Sequence, residues 1–193
     1  MKLKVKINFL TIVLLASLLL SGSKFSIAAL FAAALHELGH ILSAKLCGIG
    51  FSELTLNIFG AGLTPNVALN SYTQEAMVCF AGPLVNLLSY LITSLFTLPA
   101  TSFFENFGLA SLTLGVLNLL PIIDFDGGRI ASALLFRFFS PYFSTKLMKA
   151  VSFICIFALW SFSLYLIMRV AASLSLFLFS AMLFAKIFLP CDN

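Results

Sequence analysis

Two histidines and a glutamate stand at the spacing of a metal-binding helix. The segment 35–41 reads LHELGHI and contains His36, Glu37 and His40, and the chain has no other histidine. On an α-helix, positions 36 and 40 differ by about 40° around the axis and about 6 Å along it, so both imidazoles can reach one metal ion. The Glu37 carboxylate lies beside them and can take a proton from an attacking water. The segment therefore predicts a zinc centre with its own general base.

Composition places this segment in a membrane. Of the 193 residues, 61% are hydrophobic and 9% are charged, and the mean hydropathy is +1.11. Soluble domains carry about 25% charged residues, so this chain has too little charge to cover a water-facing surface. The alternative for the histidines, packing or hydrogen bonding inside a helix, is disfavoured because ionisable groups in a membrane segment are costly and usually functional.

The net charge of +4 does not indicate nucleic-acid binding. The basic residues stand at the ends of apolar runs, where they set the orientation of membrane helices. With six spans, every Lys and Arg except Lys24 and Arg169 falls on the cytoplasmic side. We therefore expect a multi-pass protein of the cell membrane with both termini in the cytoplasm.

The apolar runs predict six membrane helices of about 20 residues each. The first follows a basic start, and we expect it to be retained as a signal anchor because no cleavage site followed by a soluble domain is present. The fold class is then an all-α polytopic membrane protein, arranged as a single membrane-embedded domain over 1–193. The predicted spans are 7–21, 24–47, 74–98, 108–123, 150–168 and 171–189.

The stretch 51–70 interrupts the apolar runs. Residues 51–58 alternate polar and apolar side chains, with β-branched and aromatic content typical of a strand, and FGAG at 59–62 predicts a turn. Since a hairpin is tolerable in lipid only where it lines a protein-walled cavity, we expect a membrane-inserted β-hairpin. Its edge strand would accept an extended peptide, whereas an ordinary cytoplasmic loop is the alternative. The candidate substrate contacts in this stretch are Leu56, Ile58 and Gly60.

The third predicted span carries a polar residue in mid-membrane. The Gly82-Pro83 pair loosens the helix and lets a neighbouring backbone approach. Asn86 follows one turn later and needs a hydrogen-bond partner there. We treat Asn86 as a candidate substrate-binding residue, with plain helix packing as an equally open alternative.

An acidic segment follows the fourth predicted span. Pro121 disfavours helical geometry at the residue before it, and Gly127 and Gly128 allow a sharp turn. We therefore expect Asp126 on an unwound segment at the cytoplasmic side, at the depth of the histidines. A catalytic zinc site with two histidines needs a third protein ligand and an open fourth position. Asp126 can supply that ligand. For Asp124 a solvated turn is the simpler expectation.

Three motifs in this order resemble the site-2 protease family of zinc intramembrane proteases. They are HELGH at 36–40, AGP at 81–83 with Asn86, and the NxxPxxxxDG pattern that begins at Asn118. The last reads NLLP…DGGR, which looks most like the branch of the stage IV sporulation protein FB. The resemblance covers about 24–140, which matches the family's three-helix catalytic core, and makes the first, fifth and sixth spans accessory.

The resemblance implies a role for each matching residue. His36, His40 and Asp126 match the family's zinc ligands, for one Zn²⁺ per chain, and Glu37 matches the general base. Asn118 matches a polar group near the bound substrate, and the predicted hairpin matches the element that pairs with it. No PDZ-like insertion is present and no nucleotide-binding domain follows the last span, so nucleotide regulation is not expected.

The predicted function is hydrolysis of peptide bonds in membrane-spanning or membrane-tethered proteins. The expected partners are a transmembrane protein substrate, membrane lipid and a regulatory membrane protein, with no nucleic acid. One alternative is a metal-binding transporter or sensor, although such proteins usually show paired polar spans and this chain has a single centre. The other is a catalytically silent homologue, against which the intact Glu37 and complete ligand set argue.

Overall fold

A computed structural model describes residues 4–7, 22–49, 51–57, 60–65, 71–95, 102–170 and 175–188. Helices account for most of these residues. The chain divides into two compact units, Met1–Asn118 and Leu119–Asn193. The helices of the first unit are α1 (Lys24–Leu46), α2 (Tyr72–Leu95) and α3 (Ser102–Asn118). Those of the second unit are α4 (Asp126–Phe138), α5 (Pro141–Val170) and α6 (Ser175–Phe188).

Three of the described helices are long and apolar enough to cross a membrane. They are α1, α2 and the segment Pro141–Arg169 of α5, while α6 is apolar but shorter. Residues 8–21 of the first predicted span lie outside the described part of the chain. The helices support a membrane protein, and the full count of six spans stays a prediction.

Helix α1 ends within one residue of the predicted boundary, and a glycine is the reason. Gly48 adopts a φ of +72°, which is the left-handed conformation that glycine adopts at little cost. The turn is closed by the N–H of Ile49, which donates to Ala44 O at 2.9 Å, and that of Cys47, which donates to Ser43 O at 2.9 Å. These bonds satisfy two of the last carbonyls of the helix without a polar side chain.

Small residues bring the three helices of the first unit close together. A Cβ at Gly39 of α1 would lie 2.9 Å from Ala81 O of α2, so only glycine fits at this crossing. A Cβ at Gly115 of α3 would lie 3.3 Å from Asn86 Cβ of α2. Close backbone approach through small residues is how helices associate where no water is available to drive apolar contact.

The first unit also contains a three-stranded sheet. Its strands are β1 (Lys4–Ile7), β2 (Phe51–Asn57) and β3 (Gly60–Pro65), in the order β1-β2-β3. Strand β2 pairs antiparallel with β3 and parallel with β1. The expectation of an open edge along 51–58 is therefore wrong for residues 53–56, because β1 occupies that side of β2. Insertion of β2 and β3 into the membrane stays a prediction.

Prolines set the helix boundaries on either side of the second unit's acidic segment. Helix α3 ends at Asn118, whereas the predicted span continued to 123, because Pro121 has no N–H and disfavours helical geometry at the residue before it. Helix α5 begins at Pro141, nine residues before the predicted span, since proline is favoured at the first helical position. Residues 119–125 form the non-helical connection, closed by a 2.8 Å bond from the N–H of Phe125 to Ile122 O.

Candidate metal centre

The two histidines lie on one buried face of α1, as their spacing predicts. The imidazole rings of His36 and His40 meet edge to face, with centroids 4.8 Å apart. Their Nε2 atoms are 3.1 Å apart, and the residues are only 5% and 8% exposed. Zn–N bonds of about 2.05 Å at a tetrahedral angle would place two ligand nitrogens about 3.3 Å apart. The pair therefore fits a shared metal ion with little adjustment.

A backbone carbonyl orients the ring of His40. Its Nδ1–H donates to Val78 O of α2 at 2.7 Å. A carbonyl oxygen can only accept, so the hydrogen of neutral His40 is on Nδ1 and the lone pair is on Nε2. That lone pair is the one that a metal ion needs, and the bond is of the kind that orients metal-binding histidines.

The ring of His36 lies against a side-chain amide. Its Nδ1 is 3.1 Å from Nδ2 of Asn86, a residue of α2 that is fully buried. Asn86, predicted as a substrate-binding residue, thus contacts the Nδ1 side of the His36 ring.

Gly82 of α2 lies directly against both histidines. A Cβ at this position would overlap His40 Nε2 and lie 2.9 Å from His36 Nε2. A side chain there would therefore collide with the imidazole of His40 and displace it. The two donor nitrogens fit a zinc ion, which takes imidazole nitrogen among its ligands.

Glu37 extends from the same turn of α1. The residue is half-buried, and its Oε2 atom is shielded from solvent. The structure thus provides a carboxylate next to the two imidazoles along the helix, and its role as general base stays a prediction.

In the second unit, Asp126 is the first residue of α4 and is 8% exposed. The unwound segment expected around it is confined to residues 119–125, because Gly127 and Gly128 are helical. A Cβ at Gly127 would overlap Leu119 O, and one at Gly128 would overlap Ile122 O. The two glycines therefore serve tight packing of α4 against the preceding loop, rather than the turn that the sequence predicts.

Residues of α5 and α6 hold that loop, and the sequence did not single them out for this role. Ser152, fully buried on α5, accepts a hydrogen bond from the N–H of Ile123 at 3.0 Å. Lys186 of α6 forms a 3.0 Å ion pair with Asp124, which lies in a turn but is not simply solvated. The rings of Phe125 and Phe179 stack with centroids 6.2 Å apart. The available signals were polar residues inside apolar spans, Ser152 in the fifth and Lys186 in the sixth.

The remaining predicted substrate contacts are dispersed in the first unit. Asn118 ends α3, and its Nδ2–H donates to Leu114 O at 3.0 Å. Leu56 lies in β2 and Gly60 begins β3, while Ile58 lies outside the described residues. Their contact with a substrate stays a prediction.

Two family models match the chain. The M50B-like peptidase model matches residues 9–123, and the model of peptidase family M50 matches residues 91–162. The chain belongs to the M50B-like peptidase family. The first match contains both histidines and Glu37, and the second contains Asp126. The resemblance to the site-2 proteases is confirmed, while the branch of the stage IV sporulation protein FB stays a prediction.

Relatives and a solved structure agree with this family. A Synechocystis sp. protein named as a zinc metalloprotease is 32% identical over 108 residues, covering 53% of this chain and 28% of that protein. A zinc metalloprotease of Methanocaldococcus jannaschii is 32% identical over 124 residues, covering 58% of this chain and 34% of that protein. The matched region thus spans about a third of the length of these relatives.

The fold is that of a site-2 protease. The site-2 protease structure from M. jannaschii aligns with a TM-score of 0.65 over 97% of this chain and 90% of that one, at 23% identity. This fold and the apolar helices make the chain a membrane protein. The family does not favour the metal transporter or sensor that the sequence left open.

Proposed function

We propose that the chain is a zinc-dependent intramembrane endopeptidase that hydrolyses peptide bonds of membrane-spanning or membrane-tethered proteins. The observation that carries the proposal is the buried imidazole pair of His36 and His40, whose Nε2 atoms lie 3.1 Å apart beside the bare backbone of Gly82. Membership of the M50B-like family and the zinc metalloprotease relatives support it.

Three side chains would hold one zinc ion per chain. His36 and His40 offer imidazole nitrogens. Asp126 is the third ligand by its place in the NxxPxxxxDG pattern, and its burial at the start of α4 is consistent with that role. Three protein ligands leave a fourth position for water, as catalytic zinc sites require.

Glu37 carries the proton in the proposed reaction. Zinc, when bound, polarises the scissile carbonyl and lowers the pKa of water toward about 7. Glu37 takes the proton of the attacking water and delivers it to the leaving amine, so that a neutral amine departs. Its place in the turn that carries both histidines is what gives it reach to that water.

The substrate must be extended before it is cut, because the peptide bonds of a helix are shielded by its own turns. Strand addition would hold it extended, with backbone hydrogen bonds to a sheet edge. Since β1 and β3 flank β2, the edges open to a new strand in the described sheet are the outer sides of β1 and β3. Gly60, the first residue of β3, and Ile58 would contribute to such an edge, whereas Leu56 of the central strand β2 is paired on both sides and would contribute only through its side chain. Asn118 would bind the substrate near the reacting bond.

The proposed setting is a multi-pass protein of the cell membrane with six spans and both termini in the cytoplasm. The basic residues at the span ends support that orientation. The partners would be a transmembrane protein substrate, surrounding lipid and a regulatory membrane protein. Nucleic acid is not among them.

Metal analysis of the detergent-purified protein tests the zinc centre. We expect about one zinc per chain in the wild type and in Glu37→Gln, and loss of zinc in His36→Ala and Asp126→Ala. A well-folded wild type that takes up no zinc after metal is added back would overturn the proposal.

Cleavage of single-span membrane peptides in detergent, with new termini read by mass spectrometry, tests the base. We expect Glu37→Gln to abolish cleavage while zinc is retained, because the amide cannot accept the proton. Glu105→Gln is the matched control. It makes the same chemical change at an exposed residue of α3, away from the histidines. Wild-type rates in Glu37→Gln would refute the assignment of Glu37.

A further inference from the structure

Asn86 is a fully buried polar side chain that lies against a proposed zinc ligand. Its amide nitrogen is 3.1 Å from Nδ1 of His36, and its Oδ1 atom has no hydrogen-bond partner among the described residues. We propose that Asn86 is a positioning residue whose amide oxygen accepts the Nδ1–H of His36 and holds that ring in its zinc-binding tautomer. The inference rests on the proposed zinc centre and gives Asn86 a role other than substrate binding.

The direction of the hydrogen bond follows from where a metal ion needs lone pairs. If both Nε2 atoms bind the ion, the hydrogen of each neutral imidazole must be on Nδ1, and each Nδ1–H needs an acceptor. His40 has that acceptor in Val78 O at 2.7 Å. For His36 the neighbouring group is the Asn86 amide, and only its oxygen can accept. Zinc binding therefore requires Oδ1 of Asn86 to face His36.

The opposite orientation of the amide suits the site before metal binds. Nδ2–H of Asn86 can donate to His36 Nδ1, His36 Nε2–H to His40 Nε2 at 3.1 Å, and His40 Nδ1–H to Val78 O. In this series of hydrogen bonds, each N–H that is named has an acceptor, and all of them point from Asn86 toward Val78 O. Rotating the amide by 180° exchanges its oxygen and nitrogen in nearly the same volume, so asparagine can support both states.

The alternative is that Asn86 only fills space between helices. Its Cβ would lie 3.3 Å from a Cβ placed at Gly115 of α3, so the side chain contributes to packing there. Two substitutions separate the roles. Asn86→Leu keeps a similar volume but has no acceptor, whereas Asn86→Asp keeps oxygen atoms that can accept the His36 hydrogen. A packing role predicts that leucine is tolerated and aspartate is not, and the proposed role predicts the reverse.

Nitrogen NMR of ¹⁵N-histidine-labelled protein reads the tautomers directly, since the chain has only two histidines. In the zinc-loaded wild type we expect Nδ1 of both rings to be protonated and both Nε2 atoms to be metal-bound, with His36→Ala providing the assignment. Asn86→Asp should preserve this pattern. Finding His36 Nδ1 unprotonated or metal-bound in the wild type would overturn the proposal without any variant at position 86.

Zinc affinity, measured by competition with a chromophoric chelator, supplies the second readout. We expect Asn86→Leu to weaken zinc binding by about 10–100-fold, the usual effect of losing the group that orients a metal ligand. Asn86→Asp should bind zinc within a few-fold of the wild type. Ser89→Ala is the matched control, because Ser89 lies on the same helix and its Oγ–H donates to Val85 O of its own turn.

The outcomes distinguish this inference from the proposed function. A wild type that binds no zinc would refute the proposed function itself. A wild type that binds zinc, together with an Asn86→Leu variant of equal affinity, would refute only the role of Asn86. Equal weakening in the aspartate and leucine variants would also refute it, since aspartate retains the acceptor.

Discussion

At the residue scale, groups of α2 contact the Nδ1 atoms of both histidines, and Gly82, which has no side chain, lies beside their Nε2 atoms. Val78 O fixes one ring and the Asn86 amide contacts the other. Gly82 lets the imidazole of His40 pack directly against the backbone of α2, where any Cβ would overlap the ring. Glycine at position 82 thus has a role besides helix packing, because any Cβ would displace the imidazole of a proposed zinc ligand.

We expect Gly82→Ala to lose zinc, because the added methyl group would overlap His40 Nε2. Zinc content and chelator competition on the purified protein measure this loss. Gly39→Ala provides the comparison, since its methyl would meet Ala81 O and Val85 rather than an imidazole. That variant should lower thermal stability before it lowers the zinc content of the folded fraction. Wild-type zinc affinity in Gly82→Ala would contradict the role given to this glycine.

At the element scale, the non-helical segment before α4 is held by α5 and α6. The buried Ser152 accepts the N–H of Ile123, Lys186 pairs with Asp124, and Phe179 stacks on Phe125. Asp126 immediately follows this segment. The accessory helices of the second unit therefore contact, at three places, the loop that leads into the proposed third ligand.

Removing the Ser152 hydroxyl should destabilise this loop. In Ser152→Ala the N–H of Ile123 loses its acceptor, and we expect a loss of about 0.5–1.5 kcal/mol in the free energy of unfolding. Thermal unfolding in detergent measures the change. Ser161→Ala is the control on the same helix, because its exposed Oγ–H donates to Phe157 O within α5. Equal stability of the two variants would show that the Ile123 bond contributes nothing.

The boundaries of the helices show where a sequence pattern stops being informative. Hydropathy located α1 and α2 to within three residues at either end, since burial in lipid follows composition. It misplaced α3 and α5, whose ends depend on single prolines. It also missed the pairing of β1 with β2, because the partner strand lies far away in the chain.

At the scale of the whole molecule, the proposed zinc ligands come from both units of the chain. His36 and His40 belong to Met1–Asn118, and Asp126 belongs to Leu119–Asn193. The two family matches overlap across that boundary, over residues 91–123.

The charge distribution predicts that both termini face the cytoplasm. Tags fused to either end should be cleaved by protease in inside-out membrane vesicles and protected in right-side-out ones, because basic flanks stay on the cytoplasmic side. Detergent-permeabilised vesicles, in which both tags are cleaved, provide the control. Opposite accessibility of the two tags would mean an odd number of spans.

The sequence by itself determined the membrane setting, the shared helical face of His36 and His40, and the family. These follow from local rules: a period of 3.6 residues brings positions four apart together, and low charge excludes a water-facing surface. Only the tertiary structure decided what contacts those histidines and what supports the acidic loop. Asn86 and His36 are 50 positions apart, and Ser152 and Ile123 are 29 apart. Such pairs are set by how helices pack, and no local pattern in the chain encodes that packing.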